Sequence, residues 1–453
     1  MFKKPRLLAG LLSLTLLLTA CGGGAANNGA GENTGNSAAT EADAEGKTKI
    51  VFWHGMGGST GEALDKLVDQ YNQSQDAVVV ESSYQGAYDE TLTKLRSSAS
   101  GEGVGADLVQ IFDLGTTFMS ESGLIEPMQT YVDKDGYDIS VLEPNVLAYY
   151  TINGSLNSMP FNSSTPILYY NKDMFEAAGI EEVPTNLEEI IALKDDITSK
   201  TDAKFPISID IYGWYMEQWF SKQEEHIFDQ GNGREGAPTK VAFDENGCME
   251  DIITTWKKGI DEEAIANPGR EGSQGQFVAG EAAMTLASTA NLRQMLDEVG
   301  GRFEVGTAYY PAVNPEGKGG VSIGGASLWM IDSGDEARKD ATWDFVKFLM
   351  SPEVQAQWNA DTGYFPVNTE AQETETFKKN IEEFPQFQTA LDQLHDSSPE
   401  SQGALSGVNQ EARQIYEAAV ESFFGGATDA KEAVEAMASQ VNSALDIYNE
   451  ANQ

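Results

Sequence analysis

Gly57-Gly58-Ser59-Thr60-Gly61 has the G-x-S-x-G spacing and lies between a strand-like run and a helical one. A hydrolase nucleophile elbow needs that setting, because a sharp turn there would project the Ser59 hydroxyl outward, with His226 or His395 as base. The placement argues against it. The motif follows the first strand, whereas that fold sets its nucleophile after several, so a plain Gly-rich connection is expected. The histidines are His54, His226 and His395 with no H-E-x-x-H, which leaves a zinc hydrolase without ligands. Asp133-Lys134-Asp135-Gly136 begins like a calcium loop but misses the sixth-position glycine and the closing glutamate, and reads as a solvated turn. No Walker A segment occurs. No catalytic residue, metal site or cofactor is expected.

The elements that would position a site alternate along the chain. Ile50-Val51-Phe52-Trp53 reads as a strand, and Leu64, Leu67, Val68 and Tyr71 follow at helical spacing. Val78-Val79-Val80 and Leu108 to Phe112 read as further strands, with a helix marked by Leu92 and Leu95 between them. A second set begins at Pro166 to Tyr170, with helices at Lys172 to Ala178 and Leu187 to Ser199. Strand-like runs recur at Ala283 to Ala287, Phe303 to Tyr309 and Gly325 to Ile331, and the rest of the chain is helical. The pattern predicts an α/β fold with mostly parallel sheets and a ligand at the carboxyl ends of the strands.

Charge narrows the partners. The chain has 453 residues, with 29 Lys+Arg against 71 Asp+Glu and a formal net charge of −42. Nucleic-acid binding is excluded, since phosphate backbones are met by clustered basic surface. At 40% hydrophobic the chain can bury cores and is not an acidic disordered tail. Lys3, Lys4 and Arg6 precede the apolar run Leu7 to Leu18, the plan of a secretory signal. The run ends at Leu18-Thr19-Ala20-Cys21 followed by three glycines, which resembles a bacterial lipobox and predicts cleavage and acylation at Cys21. Residues 22–47 are nearly devoid of apolar side chains and read as a flexible tether outside the cell membrane, on a Gram-positive surface. The mature chain is too acidic to be held by anionic lipids, so the lipid must anchor it. Cys248, the other cysteine, reads as a small structural residue.

Four segments carry a resemblance: Phe161-Asn162-Ser163-Ser164-Thr165-Pro166 running into Leu168-Tyr169-Tyr170-Asn171-Lys172-Asp173; Phe52-Trp53-His54; Gly324-Gly325-Ala326-Ser327-Leu328-Trp329; and Thr362-Gly363-Tyr364-Phe365-Pro366. Together they resemble the substrate-binding proteins of ABC importers, and more narrowly the sn-glycerol-3-phosphate and glycerophosphodiester branch. The resemblance implies a two-lobed, type II periplasmic-binding-protein-like fold with a helical C-terminal part, closing on ligand between lobes. It implies a monomeric binder that delivers its solute to permease subunits. The implied division is residues 1–20 as signal peptide, 21–48 as tether, 49–160 with about 286–340 as the first lobe, and about 161–285 with 341–453 as the second. The implied ligand contacts are Tyr88, Asp113, Ser164, Trp214, Ser288, Gly325, Tyr364 and Arg413.

Those types suit a phosphorylated polyol. Hydroxyl and backbone N–H donors with a planar guanidinium suit phosphate, and a carboxylate suits glycerol hydroxyls. Two departures bear on the ligand: the branch's usual glutamate is Asp113, and where it often has two tryptophans three residues apart this chain has Ile211 and Trp214. The smaller Ile211 leaves room beside the phosphate, which points to a diester such as glycerophosphocholine. Arg413 could instead pair with Glu411 at the surface. A neutral oligosaccharide receptor of the same fold and a secreted serine hydrolase using Ser59 are the alternatives.

Overall fold

The computed structural model describes residues 46–452 except 102, 399 and 400. The signal segment and Cys21 lie outside the described residues. The strands in chain order are β1 Thr48–His54, β2 Val78–Tyr84, β3 Leu108–Phe112, β4 Ile125–Glu126, β5 Thr151–Ile152, β6 Ser155–Leu156 and β7 Met159–Ser164. They continue with β8 Pro166–Asn171, β9 Phe205–Ser208, β10 Ile265–Ala266, β11 Ala282–Ser288, β12 Val305–Tyr309 and β13 Gly324–Ile331. In β1 the period of two sends Ile50, Phe52 and His54 inward. The helix Gly58–Ser74 lays Leu64, Leu67, Val68 and Tyr71 against the same core, along the stripe that a 3.6-residue period makes.

Two sheets result. The first runs β2-β1-β3-β13-β4 with β7 also paired to β13, and the second runs β10-β9-β11-β8-β12. Neither is mostly parallel as expected. β1 is parallel to β2 and β3, but β13 is antiparallel to β3, β4 and β7. In the second sheet β9 is parallel to β10 and β11, while β8 is antiparallel to β11 and β12. The reason is the route of the chain. β8 and β13 each enter from the other sheet rather than through a helical crossover, the connection that makes parallel neighbours.

The division of the chain also differs from the expected lobe boundaries. β11 and β12 lie in the second sheet, and residues of the helices Glu336–Leu349, Pro352–Thr362 and Gln386–Asp396 are buried in the core of the first. The chain passes between sheets at Thr165, between Tyr309 and Gly324, and between Asp396 and Asn409. Helix Gln386–Asp396 serves both. It buries Leu391 and Leu394 with the first sheet, while Gln386 Nε2 donates to Val305 O of β12 and Gln393 Nε2 to Pro166 O of β8.

Asp133 to Gly136 is a helix end. Met128–Asp135 closes on Gly136 at φ 62°, and Asp135 accepts from Trp343 Nε1 and Lys347 Nζ. The helix expected over Leu187 to Ser199 is two, Leu187–Ala192 and Lys194–Lys200, meeting at Leu193. Cys248 is a buried free cysteine opening the helix Cys248–Asp261, and burial pushes its thiol pKa up. The last helix, Ala430–Ala451, begins with a capping box in which Asp429 Oδ1 accepts from Glu432 N at 2.8 Å and Glu432 Oε2 from Asp429 N at 3.2 Å. Asp429→Ala is expected to cost about 1 kcal/mol, read as a lower urea midpoint at unchanged slope.

Candidate functional site

A cavity of about 530 Å³ lies at the carboxyl ends of β3, β7 and β11, beside the start of β13. Tyr88, Asp113, Ser164, Trp214, Ser288, Gly325, Tyr364 and Arg413 all line it. They come from both sheets and from helices far apart in sequence, so the fold brings every expected contact to one place. Ile211, which stands where the resembled branch often has a second tryptophan, lines it too.

One wall is a hydrogen-bonded relay. Gln110 Oε1 accepts from Gly55 N, Gln110 Nε2 donates to Asn162 Oδ1 at 2.8 Å, and Asn162 Nδ2 donates to Tyr88 Oη at 2.8 Å. Tyr88 and Tyr364 hydroxyls meet at 3.2 Å. Their rings are fixed by stacking, Tyr88 on Phe112 and Tyr364 on Trp358. Gly325 sits at φ 97° where β13 passes β7, and a Cβ there would fall 2.0 Å from Asn162 O. Gly324 leaves space for Trp214, whose ring a Cβ would meet at 2.4 Å. Trp214 is 5% exposed, and its Nε1–H has no hydrogen-bond partner among the described residues. A buried donor without a partner is costly, and an acceptor in the cavity would satisfy it.

Another part of the lining is ionic. Arg413, 7% exposed, donates from Nε to Glu217 Oε1 at 2.6 Å and from Nη2 to Glu217 Oε2 at 2.7 Å, and Nη2 also reaches Asp113 Oδ2 at 2.8 Å. Its partners are therefore Glu217 and Asp113, and Glu411 on the exposed side of the helix is not one of them. Gly213 permits the approach, since a Cβ there would lie 2.9 Å from Arg413 Cβ. Arg270 spans Glu417 and Glu421, and Asp210 holds Ser273 through both its N–H and hydroxyl. Sequence reasoning missed Glu217, Arg270, Asp210 and Glu417. The signals available were the i, i+3 spacing of Trp214 and Glu217 and the i, i+4 spacing of Arg413, Glu417 and Glu421 on one helix face.

Burial pushes the carboxyls of Asp113, Asp210, Glu217 and Glu417 above the usual carboxylate range, over the opposing pull of Arg413 on Asp113 and Glu217. Each binds its proton more tightly in the folded chain. Their contribution to stability is therefore present below about pH 4 and lost as pH rises through the raised native values. Asp135, Asp138 and Asp332 are held low by hydrogen bonds and act only below that range, and His54, lowered by burial, opposes the trend near its ordinary pKa. The thermal midpoint by circular dichroism is expected to be higher at pH 5 than at pH 7.5. A midpoint that climbs over that interval would contradict this balance.

Ser59 lies on the exposed first turn of Gly58–Ser74, with Glu62, Lys66 and Asp361 around it. The G-x-S-x-G run is a helix start. His54 is turned to Met56 N and Ser82, and His395 pairs with Glu143 at 3.0 Å. Among the described residues no group of three His, Cys, Asp or Glu is placed to hold a metal ion. None of the described helices is long and apolar enough to cross a membrane.

The family model for bacterial extracellular solute-binding proteins matches residues 66–386. The chain belongs to that family. The match takes in every expected contact except Arg413, which lies beyond it. This solute-binding protein is 31% identical over 370 residues to the sn-glycerol-3-phosphate-binding periplasmic protein UgpB of Yersinia pestis bv. Antiqua (strain Antiqua), covering 79% of this chain and 83% of that one. The UgpB of Yersinia pseudotuberculosis serotype I (strain IP32953) is 29% identical over 426 residues, 91% and 95% of the two chains. Among solved structures, UgpB from Mycobacterium tuberculosis in complex with glycerophosphocholine superposes with a TM-score of 0.74 at 20% identity, over 89% of this chain and all of that one. The cyclic α-maltosyl-1,6-maltose binding protein from Arthrobacter globiformis gives 0.71 at 21% identity, over 88% and 99%. Such neighbours establish the two-lobed binding-protein fold for this solute-binding protein and leave the ligand to the site itself.

Proposed function

We propose that this solute-binding protein is the receptor of an ABC importer and captures sn-glycerol-3-phosphate or a glycerophosphodiester such as glycerophosphocholine for its permease. The observation that carries the reading is the convergence of the eight residues on one cavity, which brings donors on Trp214, Ser164 and Ser288 into the same lining as the Arg413 guanidinium. Relatives of similar length that are named for binding sn-glycerol-3-phosphate support the ligand class. Ile211 in the cavity lining supports a diester, because a side chain smaller than tryptophan leaves volume for a second ester group. The Leu18 to Cys21 lipobox supports lipid anchoring at the outer face of the cell membrane.

A neutral oligosaccharide is the second reading, and one observation favours it: Arg413 is already neutralised by two carboxylates, beside a lining rich in aromatic rings. Calorimetry on the purified protein separates the two. The phosphate reading expects binding near ~1 μM, about 8 kcal/mol, for glycerol-3-phosphate or glycerophosphocholine, with maltotriose silent. Binding of maltotriose alone would overturn it.

A further inference from the structure

Glu217 takes the whole Nε–Nη2 edge of Arg413, the edge a phosphate would otherwise grip with two parallel bonds, and Asp113 takes the second Nη2 proton. Among the described residues Nη1 alone keeps its protons free. The second cation of the lining, Arg270, is likewise held by Glu417 and Glu421. An anion entering the cavity therefore meets a guanidinium whose charge is more than matched by two carboxylates within 3 Å. A dianion meets twice the repulsion that a monoanion does at the same place.

Resting on the phosphate-receptor reading above, we infer that Glu217 is a positioning residue that makes the site select phosphodiester monoanions over phosphomonoester dianions. It does so by fixing which face of Arg413 the ligand sees and by leaving that face without net positive charge. This is a separate effect from the room left by Ile211, because it depends on ligand charge and not on ligand size.

The charged and titratable groups facing Arg413 are Asp113, Glu217, Glu417, Tyr149, Tyr212 and Tyr416, and the lining adds Asp89, Asp210, Arg270 and Glu271. Burial keeps the three tyrosines protonated through neutral pH. Protonation of the carboxyls relieves a dianion more than a monoanion, so it closes the gap in the same direction as protonation of the monoester. The fixed cation of choline gives a pH-independent offset, so the pH dependence of the affinity ratio reports the phosphate charge and Glu217→Gln reports the carboxylate's part in it.

The experiment is calorimetry of the wild-type protein and Glu217→Gln with glycerol-3-phosphate and glycerophosphocholine at pH 5.5 and 8.0, with maltotriose alongside. A phosphomonoester loses its second proton near pH ~6, while the diester phosphate of glycerophosphocholine keeps one negative charge, and its choline one positive charge, throughout. The wild type is expected to bind the diester about tenfold or more tighter at pH 8.0, and the gap to close at pH 5.5 as the monoester becomes a monoanion. Glu217→Gln is expected to narrow the gap at pH 8.0 about fivefold and to flatten its pH dependence. A wild-type gap independent of pH, or a gap that Glu217→Gln leaves unchanged, overturns the inference while the receptor reading stands. Binding of maltotriose with neither phosphate compound overturns both. Should Glu217→Gln fail to fold, the wild-type pH series decides alone.

Discussion

Arg413→Ala is expected to cut affinity for glycerol-3-phosphate and glycerophosphocholine by about a hundredfold, the loss of roughly two charge-assisted hydrogen bonds. It is also expected to destabilise the protein. The Asp113 side chain is 10% exposed and that of Glu217 17%, and without the guanidinium both become largely enclosed carboxylates with no cation. Removing one member of a buried ion pair costs about 3–5 kcal/mol. The two carboxyls can escape by binding protons, and burial already raises both. The variant's deficit should therefore shrink from pH 8 toward pH 5, whereas a surface arginine would give a small deficit at every pH. Urea midpoints at the two pH values, with calorimetry at each, measure both effects. Arg413→Lys keeps one charge but cannot span Glu217 and Asp113 together, so it should recover part of the stability and little of the binding. Undiminished ligand affinity in Arg413→Ala would remove the arginine from the site.

Gly325→Ala is the second large effect. The residue sits at φ 97°, where an L side chain is strained by about 1–3 kcal/mol. The added methyl would also lie 2.0 Å from Asn162 O, a backbone atom that cannot rotate away. β13 or β7 must shift, and Asn162 is the residue that holds the Tyr88 hydroxyl. We expect a loss of about 2–4 kcal/mol in stability, with ligand affinity falling at least about tenfold as Tyr88 and Tyr364 lose register. Gly136→Ala, with nothing within 4 Å at a helix end, serves as a strain control away from the cavity. Comparable ligand loss in both variants would show that general destabilisation, and not the site, is being measured.

Much of this was legible in the residues. β3 and the helix Lys172–Ala178 are visible from local patterning, because their apolar runs are bounded by polar caps and glycine. β7 was seen only as a motif, since Met159–Ser164 is buried on both faces and shows no alternation. β9, four residues with a proline, is too short for any period. The residues proposed as ligand contacts could be named because most of them sit in a recognisable local segment, Arg413 being the exception. Glu217, Arg270 and Asp210 could not, because what matters about them is a partner far along the chain: Arg413, Glu421 and Ser273. Pairings made by the fold leave no local trace, and the mixed direction of both sheets was hidden for the same reason.

The position of β13 has a consequence for assembly. It lies between β3 and β4 inside the first sheet, yet it enters the chain only after the whole second sheet has been laid down. The first sheet therefore cannot close as a nascent N-terminal unit, and its central hydrogen bonds wait for a segment that must return across a very long loop. Such non-local pairing makes for slow acquisition of the native state and leaves the edge of β3 open in the interim. For a chain that resembles an exported one, that delay keeps the polypeptide pliable until nearly all of it has been made.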